Sequence, residues 1–372
     1  MAQHFLLSAK CRDFSRSELN QMSDEEIIKL MAKLRWGHDD KQVCPGCGVL
    51  DSHYERKARS QWRCKHKPCG RDFSVTSGTP FHGHKLPLRD IVSSLYTFIV
   101  HASGISAAML CRELGCQWKT AWLLQCKLRE VIIKYRPLGP VSGVTQMDGG
   151  HFGGKRRSAN KHGYRNKETI NAAIAQKVEG ARSMRNKRRM QFLPGGKANL
   201  LRKKKRRVVM VLRELYPEKG RGASRTIIYI ANSENEADAV AFAREYVVPG
   251  STLMTDESGA FTQFSRWFDH QTVQHSLEWQ NDKGVNDNQA ESYFSRLRRS
   301  EYGVYHGFRP MYLTDYANEM AWREDTRRDS MKEKFMGLLQ SVMKAGFSRW
   351  FGGYYQGNRR QTEIVGVARP QN

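Results

Sequence analysis

Two pairs of cysteines near the start of the sequence have the spacing of metal ligands. Cys44 and Cys47 flank a Pro-Gly turn, and Cys64 and Cys69 follow at the end of a short polar segment. Together the pairs predict a zinc ribbon with one structural Zn²⁺ held by four thiolates. Because the second pair is more widely spaced, His66 is an alternative to one of its thiolates. Four reduced cysteines in a small core would be simpler, but this explains poorly why so polar a segment folds.

Three acids are the second group with a chemical arrangement. Asp148 is expected at the end of a strand over 142–147, and Asp256 at the end of another over 251–255. Glu291 lies near the start of a predicted helix. Because ligands collect at the carboxyl ends of strands in open α/β sheets, the three carboxylates are expected to meet. Each acid taken alone is more simply a helix cap or half of a surface ion pair.

Three carboxylates at one place suit the cleavage of a phosphodiester. That reaction uses two divalent cations about 3.5–4 Å apart, and Mg²⁺ or Mn²⁺ prefers oxygen ligands. We expect Asp148 to bridge two ions per active site while Asp256 and Glu291 hold one each. The nucleophile would be a water molecule, or later a DNA 3′-hydroxyl.

The charge of the chain indicates a polyanionic partner. Its 372 residues include 62 Lys and Arg against 37 Asp and Glu, a net charge of +25. Nucleic acid is favoured over a membrane because the longest nearly apolar stretch, 91–100, is too short to span a bilayer. The first residues lack the apolar core of a signal peptide. A soluble, cytoplasmic and nucleoid-associated bacterial protein is therefore expected, and the cysteines outside the ribbon are expected to be buried thiols.

Helical periodicity follows the ribbon. The helices are expected over 88–101, 105–114 and 117–135. The last two, joined by a tight turn at Gly115, are typical of a helix-turn-helix whose exposed Lys119, Thr120 and Lys127 face a DNA groove. An ordinary helical bundle packed against the ribbon explains the same pattern. The ribbon and the charge favour DNA binding.

Beyond Pro140 the pattern changes to short apolar runs and helices, which predicts an α/β domain. Further strands are expected over 208–212 and 226–230, and a helix over 234–246. The expected organisation is an N-terminal helical segment at 1–40, a zinc ribbon at 41–85, a helix-turn-helix at 86–136, an α/β domain at 141–330 with a basic insertion at 182–207, and a C-terminal tail at 331–372.

The basic insertion carries twelve Lys and Arg residues and no acid. Like charges and a Pro-Gly-Gly sequence prevent it from folding alone, so it is either a solvated loop or an arm that lies along DNA phosphates. The residues expected to contact phosphates are Lys203, Lys204, Lys205, Arg206 and Arg207.

From about Cys44 to Tyr355 the chain resembles bacterial insertion-sequence transposases that have an N-terminal zinc ribbon and an ISXO-like DDE domain. The most specific stretch is NDNQAESYFSRLRRSEYGVYHGFRPMYLTDYANEMAWREDTRR at 286–328. Thr255-Asp256 matches the family's second motif, and Asp148 with the later Gly153-Gly154-Lys155 matches the first. The resemblance implies a ribonuclease H-like catalytic core. Gly149 replaces the acidic residue usual in the family, so any helper role of that position is in doubt.

The resemblance also suggests roles outside the three acids. Arg298, two turns after Glu291 on the same helix face, and Lys155 are expected to contact DNA. His270 and His275 match a His-rich stretch; His275 is either catalytic or, like most such residues, buried and hydrogen-bonded. The aromatic residues of 348–355 match a family end motif and form either a small core or a dimer contact.

The predicted function is that of a DNA transposase. It would bind double-stranded transposon ends, cleave them with two-metal chemistry and join the 3′ end to target DNA, as a homodimer or larger assembly. One alternative is a non-catalytic DNA-binding regulator derived from a transposase, which the presence of all three acids disfavours. Another is a resolvase-type nuclease, which would share the metal chemistry without joining ends.

Overall fold

The chain begins with a pair of helices. A computed structural model describes residues 7–153, 206–218, 220–273 and 286–369. Helices α1 (Arg16–Gln21) and α2 (Asp24–Trp36) each start with a serine whose side chain accepts the backbone N–H three residues later. In both, a glutamate at that position returns a bond to the serine N–H, so each helix start is a complete capping box.

A small two-part β structure follows. Strands β1 (Gln42–Val43) and β2 (Leu50–Asp51) pair antiparallel, and β3 (Tyr54–Arg56), β4 (Gln61–Arg63) and β5 (Asp72–Phe73) form a three-stranded antiparallel sheet. Strands this short are marginal by themselves. The ring of Trp36 at the end of α2 packs edge-on against Trp62 and Phe73, with centroids 5.6 Å and 6.4 Å away. The β structure therefore rests on α2.

Three helices come next, as predicted. They are α3 (Leu88–Val100), α4 (Ala107–Glu113) and α5 (Trp118–Tyr135). A tight turn joins α4 to α5, and Gly115 takes a left-handed conformation there, with φ +60°. Ile105, Leu110 and Ala121 are buried together across the turn, which fixes the two helices against each other.

A mixed five-stranded sheet forms the second half. Its strands are β6 (Val144–Phe152), β7 (Arg207–Leu215), β8 (Ala223–Ala231), β9 (Thr252–Thr255) and β10 (Asp269–Thr272). The order is β10-β9-β6-β7-β8, with β6, β7 and β8 antiparallel and β9 and β10 parallel to β6. The predicted α/β class is confirmed.

One predicted boundary in this sheet was wrong. The first strand was expected to stop at Met147, but β6 continues through Asp148 to Phe152. Two glycines in that stretch weaken any local strand signal. The strand continues because β7 pairs with it along its whole length, from Thr145 opposite Glu214 to Phe152 opposite Arg207.

Helices cover both faces of the sheet. Along β7, the side chains of Val208, Met210 and Leu212 face the core beneath α6 (Glu236–Tyr246). The alternate residues, Val209 and Val211, face the opposite core. That core is closed by α7 (Asn288–Arg299), which continues through one wider helical turn, and by α8 (Pro310–Asp325). Because both faces are covered, β7 is apolar at every position from Val208 to Leu212 instead of alternating.

The predicted C-terminal tail begins with a helix that is part of the first half. Helix α9 (Met331–Lys344) buries Phe335, Leu338, Leu339 and Val342 in the same core as α2, α3 and α5. Within the described residues, no helix is both long enough and apolar enough to cross a membrane.

Helix α8 joins the two halves through buried charges. Glu319 of α8 accepts from Arg129 of α5 at 2.7 Å and from Arg323 at 2.8 Å, and all three side chains are almost fully buried. Arg323 also donates to the carbonyls of Phe98 and His101 at the end of α3, at 2.6 Å and 2.7 Å. Burial alone would raise the pKa of Glu319, but the charges of Arg129 and Arg323 hold it below its usual value.

Replacing Glu319 by Gln should lower the free energy of unfolding by about 3–5 kcal/mol, because two buried arginines lose their charged partner. Denaturant titration measures this change. The matched control is Glu218→Gln, since Glu218 pairs with Arg221 on the surface at 3.2 Å and should leave stability nearly unchanged. Equal stability of the two variants would contradict the importance of the buried network.

Candidate functional site

The sheet places two of the predicted acids side by side. In the parallel pairing of β6 with β9, Met147 lies opposite Thr255, so Asp148 and Asp256 are the next residues on neighbouring strands. An Asp256 carboxylate oxygen accepts the backbone N–H of Ser258 at 3.0 Å, which orients the acid beyond the strand end. Two of the three acids predicted to meet are therefore at neighbouring positions of the sheet.

The environment of Asp148 is strongly acidic. Burial first, and then the charge of Asp256, raise the pKa of Asp148 to about 8, and Asp287 and Glu234 add to the effect. Asp287 is 1% exposed. Neither Asp287 nor Glu234 was singled out in the sequence. Glu234 follows a strand end as Asp256 does, and Asp287 lies in the same motif as Glu291, so both could have been found by the same argument.

Glu234 is held beside the two aspartates. Ser258, whose N–H bonds to Asp256, also donates its hydroxyl to Glu234 at 3.0 Å. A ring nitrogen of His151, on β6, lies 3.6 Å from the other Glu234 oxygen. One serine therefore orients two of the acids whose charges raise the pKa of Asp148.

Strand β6 also holds the start of α7. The side-chain oxygen of Gln146 accepts the N–H of Gln289 at 2.8 Å, and its amide donates to the Asn286 carbonyl at 2.7 Å. Further along β6, a side chain at Gly150 would lie 2.9 Å from the Phe294 ring, so only glycine allows this close approach. Asp148 lies between these two contacts on the same face of the strand and is directed toward α7.

Glu291 is located in the first turn of α7. Its N–H donates to the Asp287 carbonyl at 3.1 Å, and its side chain is half-buried. Arg298, further along the helix, is exposed, and its guanidinium lies 5.7 Å from the centroid of the Phe152 ring.

The donor chemistry of this acidic cluster fits hard divalent cations. Its donors are all carboxylate oxygens, the atoms that such cations prefer, and burial together with the neighbouring charge of Asp256 raises the pKa of Asp148. Within the described ranges, groups of three or more ligand atoms all within 4.8 Å of one another are limited to the four ribbon cysteines.

The four ribbon cysteines converge as predicted. The sulfurs of Cys44 and Cys69 are 3.7 Å apart, and those of Cys47 and Cys64 are 3.6 Å apart. A tetrahedral ion with Zn–S bonds of about 2.3 Å requires sulfurs about 3.8 Å apart. The alternative ligand His66 is exposed at the surface. The residues present therefore fit a four-thiolate zinc site.

Local hydrogen bonds shape both cysteine turns. The Gly48 N–H donates to the Cys44 carbonyl at 2.9 Å, and the Cys69 N–H donates to the His66 carbonyl at 2.9 Å. Burial opposes ionisation of Cys44, but the backbone N–H groups of Cys47 and Gly46 lower its pKa to about 7. Burial raises the pKa of the Cys64 thiol instead, so the four sulfurs would be held as thiolates by the positive charge of a bound metal ion.

The predicted DNA-contacting residues of α5 differ in their environments. Lys119 is exposed and Thr120 is half-buried. All three side chains were expected to be exposed, but both Thr120 and Lys127 are half-buried, and burial lowers the pKa of Lys127. The Lys127 side chain is therefore partly packed against the protein.

Only the end of the basic insertion lies within the described residues. Arg207 is the first residue of β7 and forms two bonds with Glu363, at 2.5 Å and 2.9 Å. This ion pair gives Arg207 a structural role inside the chain, and Arg206 beside it is half-buried. Lys155, Lys203, Lys204, Lys205 and His275 lie outside the described residues.

His270 has the surroundings of a structural residue. Its ring nitrogen lies 2.9 Å from the Thr255 hydroxyl, its ring packs on Phe264, and burial lowers its pKa.

Comparison with known families agrees with this architecture. Residues 140–325 match the ISXO2-like transposase domain, and residues 22–72 match the transposase zinc-ribbon domain. The first match covers half of the chain, and the chain belongs to the ISXO2-like transposase family. Among curated proteins no relative matches it. The zinc-ribbon match begins before α2, which agrees with the packing of the ribbon on that helix.

Purified protein should contain about one tightly bound Zn²⁺ per chain, because four convergent thiolates form a closed tetrahedral site. Metal analysis of the fresh protein tests this. Cys44→Ser should lower the zinc content and unfold the ribbon, whereas Cys126→Ser, at a buried thiol outside the ribbon, should leave the zinc content unchanged. If the freshly purified protein contains no zinc, the four cysteines do not form a zinc site.

Proposed function

We propose that this protein is a DNA transposase that binds transposon-end DNA, cleaves it and joins the freed 3′ end to target DNA. The observation that carries the proposal is that Asp148 and Asp256 occupy neighbouring positions on paired parallel strands, where burial and the charge of Asp256 raise the pKa of Asp148 to about 8. The family match supports a transposase. The acidic cluster supports metal-dependent cleavage.

The sheet supports a ribonuclease H-like catalytic core. On one side of the central strand β6 lie β7 and then β8, each antiparallel to the strand before it. On the other side lie β9 and β10, which are parallel to β6, and α7 and α8 cover one face of the sheet. In such a core the first and fourth strands bring acids to one place, as β6 and β9 do here. The third acid, Glu291, would come from α7, which follows these strands in the sequence.

Asp148, Asp256 and Glu291 would hold two Mg²⁺ or Mn²⁺ ions, which when bound activate the attacking oxygen and stabilise the leaving one. The residues around them have positioning roles. Gln146 fixes the start of α7 and thereby the turn that carries Glu291, and Ser258 orients Asp256. In the first reaction water displaces the 3′ oxygen from the end phosphate. In the second the new 3′-hydroxyl attacks the phosphorus of a target phosphodiester and displaces the 3′ oxygen of the target strand, which leaves as a 3′-hydroxyl.

The N-terminal half is proposed to recognise the ends. Helices α4 and α5 with their turn at Gly115 form the proposed helix-turn-helix, and Lys119 and Thr120 at the start of α5 are the proposed groove contacts. The zinc ribbon packs beside this unit, and pairing of two transposon ends calls for at least a dimer.

Asp148→Asn and Asp256→Asn should each abolish Mg²⁺-dependent cleavage of end DNA, because each removes metal-binding charge with little change in shape. A labelled duplex carrying the inverted repeats that flank the gene reports nicking and joining, and a binding assay should show affinity close to wild type. Glu257→Gln is the matched control, since Glu257 is the exposed neighbour of Asp256. Normal cutting by either Asp variant would exclude that residue from the site.

Glu291→Gln should abolish cleavage in the same assay, whereas Asp287→Asn should retain part of it. Glu291 is the proposed third ligand, and Asp287 is a buried neighbour of Asp148. If Asp287→Asn is inactive and Glu291→Gln cuts normally, the third ligand is Asp287. A chain that binds ends and never cuts them would instead be a DNA-binding regulator.

Neutral replacements of Lys203, Lys204, Lys205 and Arg206 should weaken binding to any duplex. The slope of log affinity against log salt should become shallower by about 0.9 for each phosphate that the variant no longer neutralises. Preference for end DNA over random DNA should persist, because recognition is assigned to the N-terminal half. Arg207 is kept, since it pairs with Glu363. An unchanged salt slope with normal joining would identify the segment as a tolerated loop.

A further inference from the structure

The start of α5 presents an aromatic residue to solvent. Trp118 is 51% exposed. Its ring is nearly parallel to that of Trp122, one turn further along the helix, with an interplanar angle of 14° and centroids 6.2 Å apart. Trp122 thus supports Trp118 from the protein side.

The C-terminal segment 347–360 packs against this pair. Trp122 contacts the rings of Phe351 at 6.1 Å and Tyr354 at 5.1 Å, and Phe351 is fully buried. The Tyr354 hydroxyl lies 2.6 Å from the hydroxyl of Tyr312 on α8. Phe351 and Tyr354 therefore belong to a small core, one of the two outcomes expected from the sequence.

A buried acid fixes this segment on α5. Glu130 is 6% exposed and accepts the N–H groups of Arg349 at 2.7 Å and Trp350 at 3.1 Å, as well as the Ser348 hydroxyl. A carboxylate that accepts three hydrogen bonds from one turn holds it firmly. The residues that follow the turn are consequently set in place beside the start of α5.

Beyond the buried rings, the segment adds to the exposed surface. Tyr355 is 38% exposed, and the Lys119 ammonium lies 5.4 Å from the centroid of its ring. Arg359 is exposed and its guanidinium lies 5.0 Å from the Tyr354 ring. The start of α5 and the C-terminal segment thus each place one exposed ring and one exposed cation in the same region of the surface. We call Trp118, Lys119, Tyr355 and Arg359 the aromatic surface.

We propose that the aromatic surface binds unpaired bases of a DNA strand, with the rings stacking on bases and the cations binding phosphates. In a duplex the faces of the bases are covered by their neighbours, and only edges and phosphates are accessible. An open ring supported from behind, as Trp118 is by Trp122, stacks instead on a base that has left the duplex. The inference rests on the proposed function in taking DNA as the partner.

Charge distinguishes DNA from a second copy of this chain as the occupant. Lys119 and Arg359 border the rings, and the chain carries a net charge of +25. An identical surface would bring like charges together, whereas a DNA strand supplies the opposite charge at the spacing of its phosphates.

The test uses the full chain, a labelled oligothymidylate as the single strand and a blunt duplex of equal length and unrelated sequence. Trp118→Ala and Tyr355→Ala should each weaken oligothymidylate binding about tenfold, the loss of one stacked base. Binding to the blunt duplex should stay within about twofold, because phosphate contacts elsewhere are intact. The matched control is Tyr302→Ala, which removes another exposed ring, 55% accessible, in the turn after α7.

A second variant examines the support of the surface. Glu130→Gln should also weaken oligothymidylate binding, because it loosens the turn that precedes Tyr355, and its melting temperature reports whether the rest of the fold survives. If it unfolds, the two alanine variants, which alter exposed side chains, still decide the question.

Three results would overturn the proposal. Unchanged oligothymidylate binding by both alanine variants would exclude the rings, and equal losses on single strand and duplex would identify a duplex contact. Loss of a dimer in size-exclusion chromatography with unchanged DNA affinity would identify a contact between copies. Failure of the proposed function is recognised in the wild-type protein itself. A wild-type protein that binds neither the single strand nor the duplex, or that binds transposon ends without cutting them, would contradict the proposed function whatever the variants do.

Discussion

The structure depends on buried acids of α8 that each require an arginine from another element. Glu319 pairs with Arg129 of α5, and Glu324 pairs with Arg213 of β7. Asp325 pairs with Arg136 at the end of α5, and Asp315 pairs with Arg360 of the C-terminal segment. A buried carboxylate without its cation is very costly, so α8 packs stably only when all these elements are present in one register. These ion pairs fix the orientation of the two halves, because apolar contacts alone are less directional.

The same network reaches the acidic cluster. Arg213, which pairs with Glu324, also donates to the Gln289 carbonyl in the first turn of α7 at 2.6 Å. The Tyr293 hydroxyl of α7 donates to a carbonyl of α8 at 2.9 Å. The turn that carries Glu291 is thereby held from the sheet side by Gln146 and from the other side by α8. Positioning of this kind keeps acids together that would otherwise repel one another.

Local sequence patterns were sufficient for most elements and for the metal ligands of the ribbon. The helices α3 to α7 and the strands β7 to β9 follow apolar periodicity, and the cysteine turns depend on neighbouring residues alone. What local patterns do not contain is contact between distant segments. β6 is long because β7 pairs with it, and Lys127 is half-buried because other elements pack against it. The role of 331–372 was missed for the same reason.

Helix α9 and the turn held by Glu130 have a consequence for the order of folding during synthesis. The core around α2, α3 and α5 includes Phe335 and Val342, and the turn that closes on α5 lies at 348–350. These residues are synthesised long after the rest of that core, so the N-terminal core stays incomplete until the ribosome has passed residue 350. Products that end before this point, through frameshift or premature termination, would carry the ribbon without helix α9, which completes the core of the neighbouring helices.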